Sequence, residues 1–296
     1  MHLPRFAHGP ETLRLGDLEV RRLGFGAMRL PGKDVWGEPD DPARAHAVLR
    51  RAIELGVNLI DTAWYYGPQV ANRLIVEALH PYPRDLVIAT KLGARRPPDK
   101  SWVPALAPEE LRAGVELDLR TLRLAQLPIV HMRWIDQKDV TFTAALEAMR
   151  ELQREGKVRH LALSNVTLAQ LEQALATGPI VAVQNVFNLR GSAGPIPAAA
   201  QPDLVLAACE ARGVAFLPYF PLAIGALALG GGALDPIAKR LRCTPAQLAI
   251  AWLLARSPVM LPIPGTSQVM HLEENVGAVH VAIDAPTLAE LSMRSS

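Results

Sequence analysis

Residues 58–67 read Asn-Leu-Ile-Asp-Thr-Ala-Trp-Tyr-Tyr-Gly, an apolar run followed by a carboxylate and three aromatic residues. Its apolar start predicts a short β-strand that ends near Asp61. A carboxylate at the end of an apolar strand is costly unless a partner neutralises its charge. Asp61 therefore predicts a second charged group on a neighbouring strand.

Short apolar runs alternate with longer amphipathic runs on both sides of this stretch. Strands are predicted at residues 24–28, 58–62, 86–91, 127–132, 159–163, 181–186, 214–218 and 259–263. Helices are predicted between them at residues 42–55, 69–79, 108–122, 142–155, 168–176, 202–211 and 245–255. This strict alternation indicates a parallel sheet, and eight units in 296 residues favour closure into a barrel.

The predicted fold class is α/β, a (β/α)8 TIM barrel with an N-terminal β-hairpin, in a single domain over residues 1–296. The hairpin is expected from runs at 13–15 and 18–22 that flank Gly16-Asp17. A Rossmann sheet is disfavoured because no GxGxxG follows the first strand. Irregular stretches at 191–200 and 223–232 are expected at the C-terminal face, as site loops or as plain surface loops.

Composition excludes several classes of protein. Half of the residues are hydrophobic, 20% are charged and the net charge is +2, so a nucleic-acid partner is not expected. No apolar stretch approaches the ~20 residues that cross a bilayer, and the N-terminal residues lack a signal peptide's apolar core. The 2 cysteines have no CxxC spacing, which predicts neither a disulfide framework nor a metal site and favours the cytoplasm.

Chemically active side chains end three successive predicted strands. Asp61 ends the second strand, Lys91 the third and His131 the fourth. Because neighbouring strand tips converge in a barrel, Asp61 and Lys91 can pair, and Tyr66 on the following loop can reach the same pocket. Taken singly, an Asp–Lys pair or a histidine at a strand end is often structural, so the prediction depends on their combination.

The four side chains suit proton donation to a carbonyl oxygen. A tyrosine ionises near pH ~10, and a nearby ammonium group lowers that pKa. A carboxylate holds the ammonium group in place, and a histidine can donate to the carbonyl or relay a proton. The set therefore predicts a donor directed at the alkoxide that forms when a hydride adds to C=O.

These residues also resemble a known family. Residues 61–67 are similar to the DTAxxYG motif of the aldo-keto reductases, Lys91 ends a Thr-Lys strand like theirs, and His131 stands at the end of a similar fourth strand. The resemblance implies proton donation by Tyr66, activation by Lys91 with Asp61, and orientation of the carbonyl by His131. The hydride would come from a bound nicotinamide.

Later motifs resemble the cofactor site of that family. They lie at residues 163–166 (LSNV), 183–185 (VQN), 218–222 (PYFPL), 263–267 (IPGTS) and 271–275 (HLEEN). The residues that the resemblance assigns to NADP(H) are Ser164, Asn165, Gln184, Tyr219, Pro221, Leu222, Gly265, Thr266, Ser267, His271, Glu274 and Asn275.

The resemblance gives these residues roles and shows departures. Side chains at the ends of two strands would bind the nicotinamide carboxamide, Tyr219 would stack on its ring, and the helix start after Thr266 would bind a 2′-phosphate. Some branches carry a lysine and an arginine where this chain has Gly265 and His271. NADP(H) is therefore the predicted cofactor, and NAD(H) is left open. Phe220 also replaces a usual serine.

A small carbonyl substrate is expected, and its class is less well defined. Arg95, Arg96 and Arg133 could contact an anionic substrate or could simply be exposed. Tryptophans that follow the first four strands are expected to line a pocket for a flat or apolar molecule, or else to brace loops. These tryptophans are Trp36, Trp64, Trp102 and Trp134.

Within the family, residues 91–96, 101–102 and 220–222 resemble the bacterial pyridoxal reductases, although His131 departs from some of them. This likeness makes pyridoxal a candidate substrate, and a monomer is the family's usual form. Two other functions stay open. An NADPH-binding regulatory or sensor subunit would share the fold, and a Schiff-base lyase would use Lys91 as nucleophile, which Asp61 disfavours.

Overall fold

The computed structural model describes residues 6–190, 202–228 and 232–293. The strands are β1 (Thr12–Leu15), β2 (Leu18–Arg21), β3 (Phe25–Gly26), β4 (Leu59–Asp61), β5 (Val87–Arg95), β6 (Val103–Ala105), β7 (Leu127–Arg133), β8 (Val158–Ser164), β9 (Ala182–Gln184) and β10 (Ala215–Phe216). The α-helices are α1 (Pro42–Glu54), α2 (Val70–Leu79), α3 (Pro108–Thr121), α4 (Phe142–Arg154), α5 (Leu168–Ala176), α6 (Pro202–Arg212), α7 (Asp235–Arg240), α8 (Pro245–Arg256), α9 (Val269–Gly277) and α10 (Ala285–Met293).

Seven strands form a parallel sheet in the order β3-β4-β5-β7-β8-β9-β10. Residues 259–264 connect its two edges. On one side the amide of Leu261 donates to the Phe216 carbonyl at 2.8 Å, and on the other the amide of Gly24 donates to the Pro262 carbonyl at 2.9 Å. The segment takes the place of the eighth strand, so the sheet is closed into the predicted (β/α)8 barrel.

The β1–β2 hairpin covers the N-terminal end of the barrel. Leu15 and Val20 are fully buried in one cluster with the interior side chains at the starts of the barrel strands. Beside the hairpin, the fully buried Arg22 donates to five backbone carbonyls at 2.6–3.2 Å. These carbonyls belong to His8, Pro10, Leu254, Ser257 and Met260. Arg22 thereby ties the N-terminal segment to the end of α8.

The helices pack around the sheet and begin where the sequence provides caps. The Asp41 side chain accepts the amide of Arg44 at 3.0 Å at the start of α1. The threonines at 141, 167 and 244 cap α4, α5 and α8 in the same way. Their apolar faces join the large cluster between helices and sheet, which leaves the C-terminal ends of the strands for polar side chains.

The barrel and its hairpin confirm the predicted fold, with local differences. The seven predicted helices agree with the structure to within one or two residues, whereas β6, α7, α9 and α10 were not predicted. The stretch 191–200 lies outside the described residues, as does part of 223–232. Among the helices that the structure describes, none has the length and apolar character to cross a membrane.

Candidate active site

Asp61 and Lys91 form a buried ion pair at the C-terminal end of the barrel. Lys91 Nζ lies 2.5 Å from Asp61 Oδ2 and donates a second hydrogen bond to the carbonyl of Thr62 at 3.0 Å. Both side chains are almost completely buried. Each charge is stabilised by the other in these buried surroundings.

The ring of Tyr66 lies next to this pair. Lys91 Nζ is 5.0 Å from the centroid of the Tyr66 ring, and the tyrosine is buried. Burial raises the pKa of the Tyr66 phenol, the Asp61 carboxylate raises it further, and Arg133 lowers it. The expected lowering of this pKa by Lys91 is therefore not found, because burial outweighs the nearby cations. Tyr66 keeps its proton at neutral pH, as a proton donor must.

His131 faces Lys91 in the neighbouring strand, where the two residues are in register. Burial, assisted by Lys91 and opposed by Asp61, lowers the pKa of the fully buried imidazole to about 4. Its Nδ1 lies 3.3 Å from the carbonyl of Leu163, which can only accept, so Nδ1 carries the proton. Nε2 has no partner among the described residues and presents a lone pair.

A second buried network behind the ion pair was not predicted. Thr62 Oγ1 donates to Asn72 Oδ1 at 2.9 Å, and Asn72 Nδ2 donates to Asp118 Oδ1 at 2.7 Å. Thr90 Oγ1 donates to Asp118 Oδ2 at 2.7 Å. Thr62 and Thr90 adjoin the two members of the ion pair, so the network fixes one strand end against the other.

Asp118 has an unusual position for a carboxylate. It is fully buried, and no ion pair joins it to any residue that the structure describes. Burial raises its pKa to about 7, against the hydrogen bonds from Thr90 and Asn72 that lower it. In the sequence, Asp118 falls on the apolar face of α3 with Leu111 and Val115. This break in a hydrophobic stripe was the available signal.

Four residues that were predicted to bind the cofactor lie at the same end of the barrel as the Asp61–Lys91 pair. Ser164 and Gln184 end β8 and β9, and Gln184 Nε2 donates to Asp61 Oδ1 at 2.8 Å. Tyr219 Oη donates to Asn165 Oδ1 at 2.7 Å. The buried Nδ2 of Asn165 has no partner in the described part of the chain. An unsatisfied amide donor at this place fits the oxygen of a carboxamide, so the residues present suit a nicotinamide.

The predicted phosphate segment lies next to the first barrel strand. A Cβ on Gly265 would lie 2.4 Å from the carbonyl oxygen of Gly26, so the two backbones need this glycine. Thr266 is buried, Ser267 is half-buried and His271 is exposed. The first turn of α9 has no side-chain cap, so its amides are available to an anion.

The remaining predicted cofactor residues have varied surroundings. Glu274 accepts a hydrogen bond from Thr244 Oγ1 at 2.5 Å and so supports the start of α8. Asn275 is buried in α9. Pro221 is buried and Leu222 is half-buried, two and three residues after Tyr219.

Two of the four candidate tryptophans lie together near the site. The Arg96 guanidinium is 4.2 Å from the ring centroid of Trp102 and 5.7 Å from that of Trp36. Trp102 also packs edge-on against Tyr65 at 5.7 Å. These contacts place Trp36 and Trp102 in one aromatic cluster. Tyr65 connects this cluster to Tyr66, since the centroids of the two tyrosine rings are 5.4 Å apart.

The other two tryptophans have different surroundings. Trp134 is buried against Phe142, with ring centroids 5.4 Å apart, and its Nε1 donates to Asp136 at 2.6 Å. Trp64 is half-buried, packs edge-on against Tyr65 with ring centroids 5.8 Å apart, and lies near Gly114 of α3. A role of these two tryptophans in a substrate pocket stays a prediction.

The closed barrel with a buried Asp–Lys–Tyr–His group defines a class of protein that the comparisons identify. The model of the aldo/keto reductase family matches residues 22–293. The chain belongs to this family, which confirms the predicted family and makes the protein an oxidoreductase.

Two relatives agree with this assignment, and a solved structure shows the same fold. The chain is 43% identical over 285 residues to pyridoxine 4-dehydrogenase of Escherichia coli, covering 95% of this chain and 96% of that protein. An uncharacterised oxidoreductase of Schizosaccharomyces pombe is also 43% identical, over 95% of this chain and 88% of the relative. An aldo/keto reductase of Klebsiella pneumoniae, solved with NADP and acetate, superposes with a TM-score of 0.77 at 24% identity, over 96% of this chain and 95% of its own.

Proposed function

We propose that the chain reduces an aldehyde to the corresponding alcohol with NADPH, and that Tyr66 donates the proton. The observation that carries this proposal is the buried Asp61–Lys91 pair beside a protonated Tyr66 and a neutral His131. In a pocket with little water, such fixed groups stabilise the charge that develops on the carbonyl oxygen.

Asn165 and its neighbours would hold a nicotinamide, from which the hydride would come, and the chain's own residues transfer the proton. Tyr66 Oη gives its proton to the carbonyl oxygen as the carbonyl carbon is reduced, so an alcohol and a tyrosinate result. The Lys91 ammonium stabilises the tyrosinate, which then regains a proton from water. With Nδ1 bound to Leu163, His131 Nε2 accepts a hydrogen bond from the new hydroxyl group. To donate to a carbonyl instead, the ring needs a second proton.

The cofactor proposal has support from two parts of the site. Asn165 offers an unsatisfied donor for the carboxamide, and the uncapped start of α9 offers amides for a phosphate. The Klebsiella relative was solved with NADP. Because position 265 is glycine and His271 is an exposed histidine rather than an arginine, we expect a modest preference for NADP(H) over NAD(H).

A flat aromatic aldehyde such as pyridoxal is the substrate that we propose. The Escherichia coli relative is named for the oxidation of pyridoxine at position 4, which is the same chemistry in reverse. The aromatic cluster that contains Trp102 and Tyr65 lies next to Tyr66 and provides apolar surface for a ring.

We further propose a single-domain, monomeric, cytoplasmic enzyme over residues 1–296. The barrel, its hairpin and its outer helices form one sequence of elements from β1 to α10. Both cysteines, Cys209 and Cys243, are free thiols, which suits a reducing compartment.

The test follows NADPH absorbance with pyridoxal, 4-nitrobenzaldehyde and methylglyoxal, and repeats each assay with NADH. Oxidation with pyridoxal at the highest kcat/KM supports the reaction and the substrate. Oxidation only with the other aldehydes keeps the reaction and rejects pyridoxal. Tight NADPH binding without turnover favours a sensor. Borohydride trapping of an aldehyde on Lys91 would favour the lyase, which the 2.5 Å contact with Asp61 disfavours.

A further inference from the structure

Arg133 is a cation that points into the mouth of the proposed site. It ends β7, two residues after His131, so both side chains project from the same face of the strand toward the barrel interior. Lys91 pairs in register with His131. Arg133 therefore lies one layer further toward the C-terminal opening than the catalytic group.

The guanidinium of Arg133 has no acidic neighbour among the described residues. The groups that face it are the hydroxyls of Tyr65, Tyr66 and Tyr219 and the ring of Trp102, whose centroid is 5.4 Å away. The Tyr65 hydroxyl lies within hydrogen-bonding reach of the guanidinium, no ion pair joins Arg133 to a described residue, and its buried Nε has no acceptor in the described part of the chain. A half-buried cation with an unsatisfied N–H and no carboxylate beside it is costly, so an anionic partner from a bound molecule is expected.

A second guanidinium adds positive charge to the same place. Arg96 is buried with its charge 4.2 Å from the Trp102 ring, and its Nη1 also lacks a partner in the described residues. Its other nitrogens are used, since Nε donates to the carbonyl of Lys100 and Nη2 to that of Asp34. Arg96 is thus held in place by backbone carbonyls, whereas the Nε of Arg133 is left without an acceptor in the described residues.

The third candidate arginine differs from these two. Arg95 is exposed, and its Nε lies 3.9 Å from a Glu110 carboxylate oxygen. It neither faces the tyrosines nor contacts an indole ring. The sequence offered Arg95, Arg96 and Arg133 as equal candidates for an anionic substrate. The structure distinguishes them by their exposure and by their neighbours.

We propose that Arg133 binds an anionic oxygen group of the substrate, so that the preferred aldehyde carries a carboxylate or a phosphate ester. This inference rests on the proposed aldehyde reduction and narrows its substrate class: among flat aromatic aldehydes, those that carry an anionic group are preferred over those without one, such as pyridoxal. Because Arg133 faces Tyr66, one small molecule can place its carbonyl at the proton donor and its anionic group at the guanidinium. A neutral aldehyde leaves this cation without an anionic partner and therefore binds less tightly.

The kinetic test compares matched substrates on the intact chain. In the wild type, kcat/KM for 4-carboxybenzaldehyde should exceed that for its neutral ester, methyl 4-formylbenzoate, by about tenfold or more. In Arg133→Met the ratio should fall to near one, through a higher KM for the carboxylate, while the ester changes by less than about threefold. 4-Formylphenyl phosphate in place of the carboxylate shows which anion is preferred.

Two variants control for charge and folding. Arg95→Met removes the same charge from the exposed neighbour and should keep the wild-type ratio. Arg133→Lys should retain part of the preference, because the charge persists without the bidentate geometry. A ratio unchanged in Arg133→Met overturns the proposal. An equal loss for carboxylate and ester also overturns it, because Arg133 would then act on Tyr66 or on the fold.

A binding measurement separates this inference from the proposed reaction. Isothermal titration of the NADPH-loaded protein compares benzoate with neutral benzamide. Benzoate should bind the wild type more tightly than Arg133→Met by about tenfold, and benzamide should bind both equally. If this holds while no aldehyde is reduced, the anion site stands and the proposed reaction fails. Equal benzoate affinity in the two proteins rejects the anion site, whatever the turnover.

Discussion

Arg22 lies at the N-terminal end of the barrel, here called the floor, and Arg133 lies at its C-terminal opening, the mouth. The two arginines have similar positions relative to strands but opposite surroundings. Each follows or ends a β-strand, and neither has an acidic partner among the described residues. Arg22 donates to five backbone carbonyls, whereas Arg133 donates to none. The first cation is satisfied by the fold itself, and the second is left for something that the fold does not supply.

This difference indicates that Arg22 contributes to the stability of the fold, whereas Arg133 is available for binding or catalysis. At the floor, all five N–H donors of Arg22 are used, so its substitution should lower stability and leave the chemistry intact. At the mouth, His131 Nε2, Asn165 Nδ2 and Arg133 Nε have no partner in the described chain. Substitutions there should change catalysis or binding with little loss of stability.

The largest effect is expected at the mouth, from Tyr66→Phe. Loss of the proton donor should lower kcat by roughly 10²–10⁴-fold, because general acid catalysis contributes about that much. The melting temperature and the NADPH affinity should stay close to the wild type. Steady-state kinetics measure kcat, a fluorescence titration measures the NADPH affinity, and thermal unfolding gives the melting temperature. Loss of cofactor binding would give Tyr66 a different role.

Asp118→Asn tests the buried carboxyl group behind the Asp61–Lys91 pair. Burial raises its pKa in the folded chain from the ordinary 3.8 to about 7, so the carboxyl stabilises the fold at low pH and loses this contribution as the pH rises through 7. The asparagine does not titrate. Between pH 4 and 8, the free energy of unfolding of the wild type should fall relative to the variant by up to about 4 kcal/mol.

Urea unfolding of both proteins across this pH range measures the Asp118 effect, because titrations shared by the two proteins cancel in the difference. A difference that does not vary with pH would show that Asp118 ionises normally. Thr90 can still accept a hydrogen bond from the new amide, so the variant keeps its contacts.

Arg22→Met should destabilise the floor. It removes the donor of five carbonyls, and incomplete replacement by water should cost about 3 kcal/mol and lower the melting temperature by roughly 5–10 °C. Below the transition, kcat/KM should stay at the wild-type value. Arg14→Met, at an exposed position of the same hairpin, is the control and should change neither quantity. If the folded Arg22→Met variant lost activity, Arg22 would affect the chemistry as well as the stability, and the proposed difference between floor and mouth would be wrong.

The smallest effect is expected from His271→Arg at the exposed start of α9. If the 2′-phosphate lies there, the added charge should tighten NADPH binding relative to NADH by about three- to tenfold. Titration of the two cofactors against both proteins gives the ratio. An unchanged ratio would place the phosphate elsewhere on the barrel.

Much of the barrel was predictable because local patterns repeat. The helix from 168 to 176 was predicted at its observed bounds, and the hairpin differs from prediction by one residue at each end. The eighth strand was harder, since residues 259–264 are held by bonds to β10 and to Gly24 rather than by regular strand geometry. The helices α9 and α10 were missed, because their positions depend on packing against α8.

The sequence by itself determined the order of the elements and the pairing of Asp61 with Lys91, because apolar periodicity and strand-end charges are local properties of the chain. Only the tertiary structure decided which charges are satisfied. Arg22, Arg95 and Arg133 are the same residue type, yet five carbonyls surround the first, a carboxylate lies near the second, and tyrosines and an indole ring surround the third. Their partners come from distant parts of the chain, and burial sets the energy of each charge.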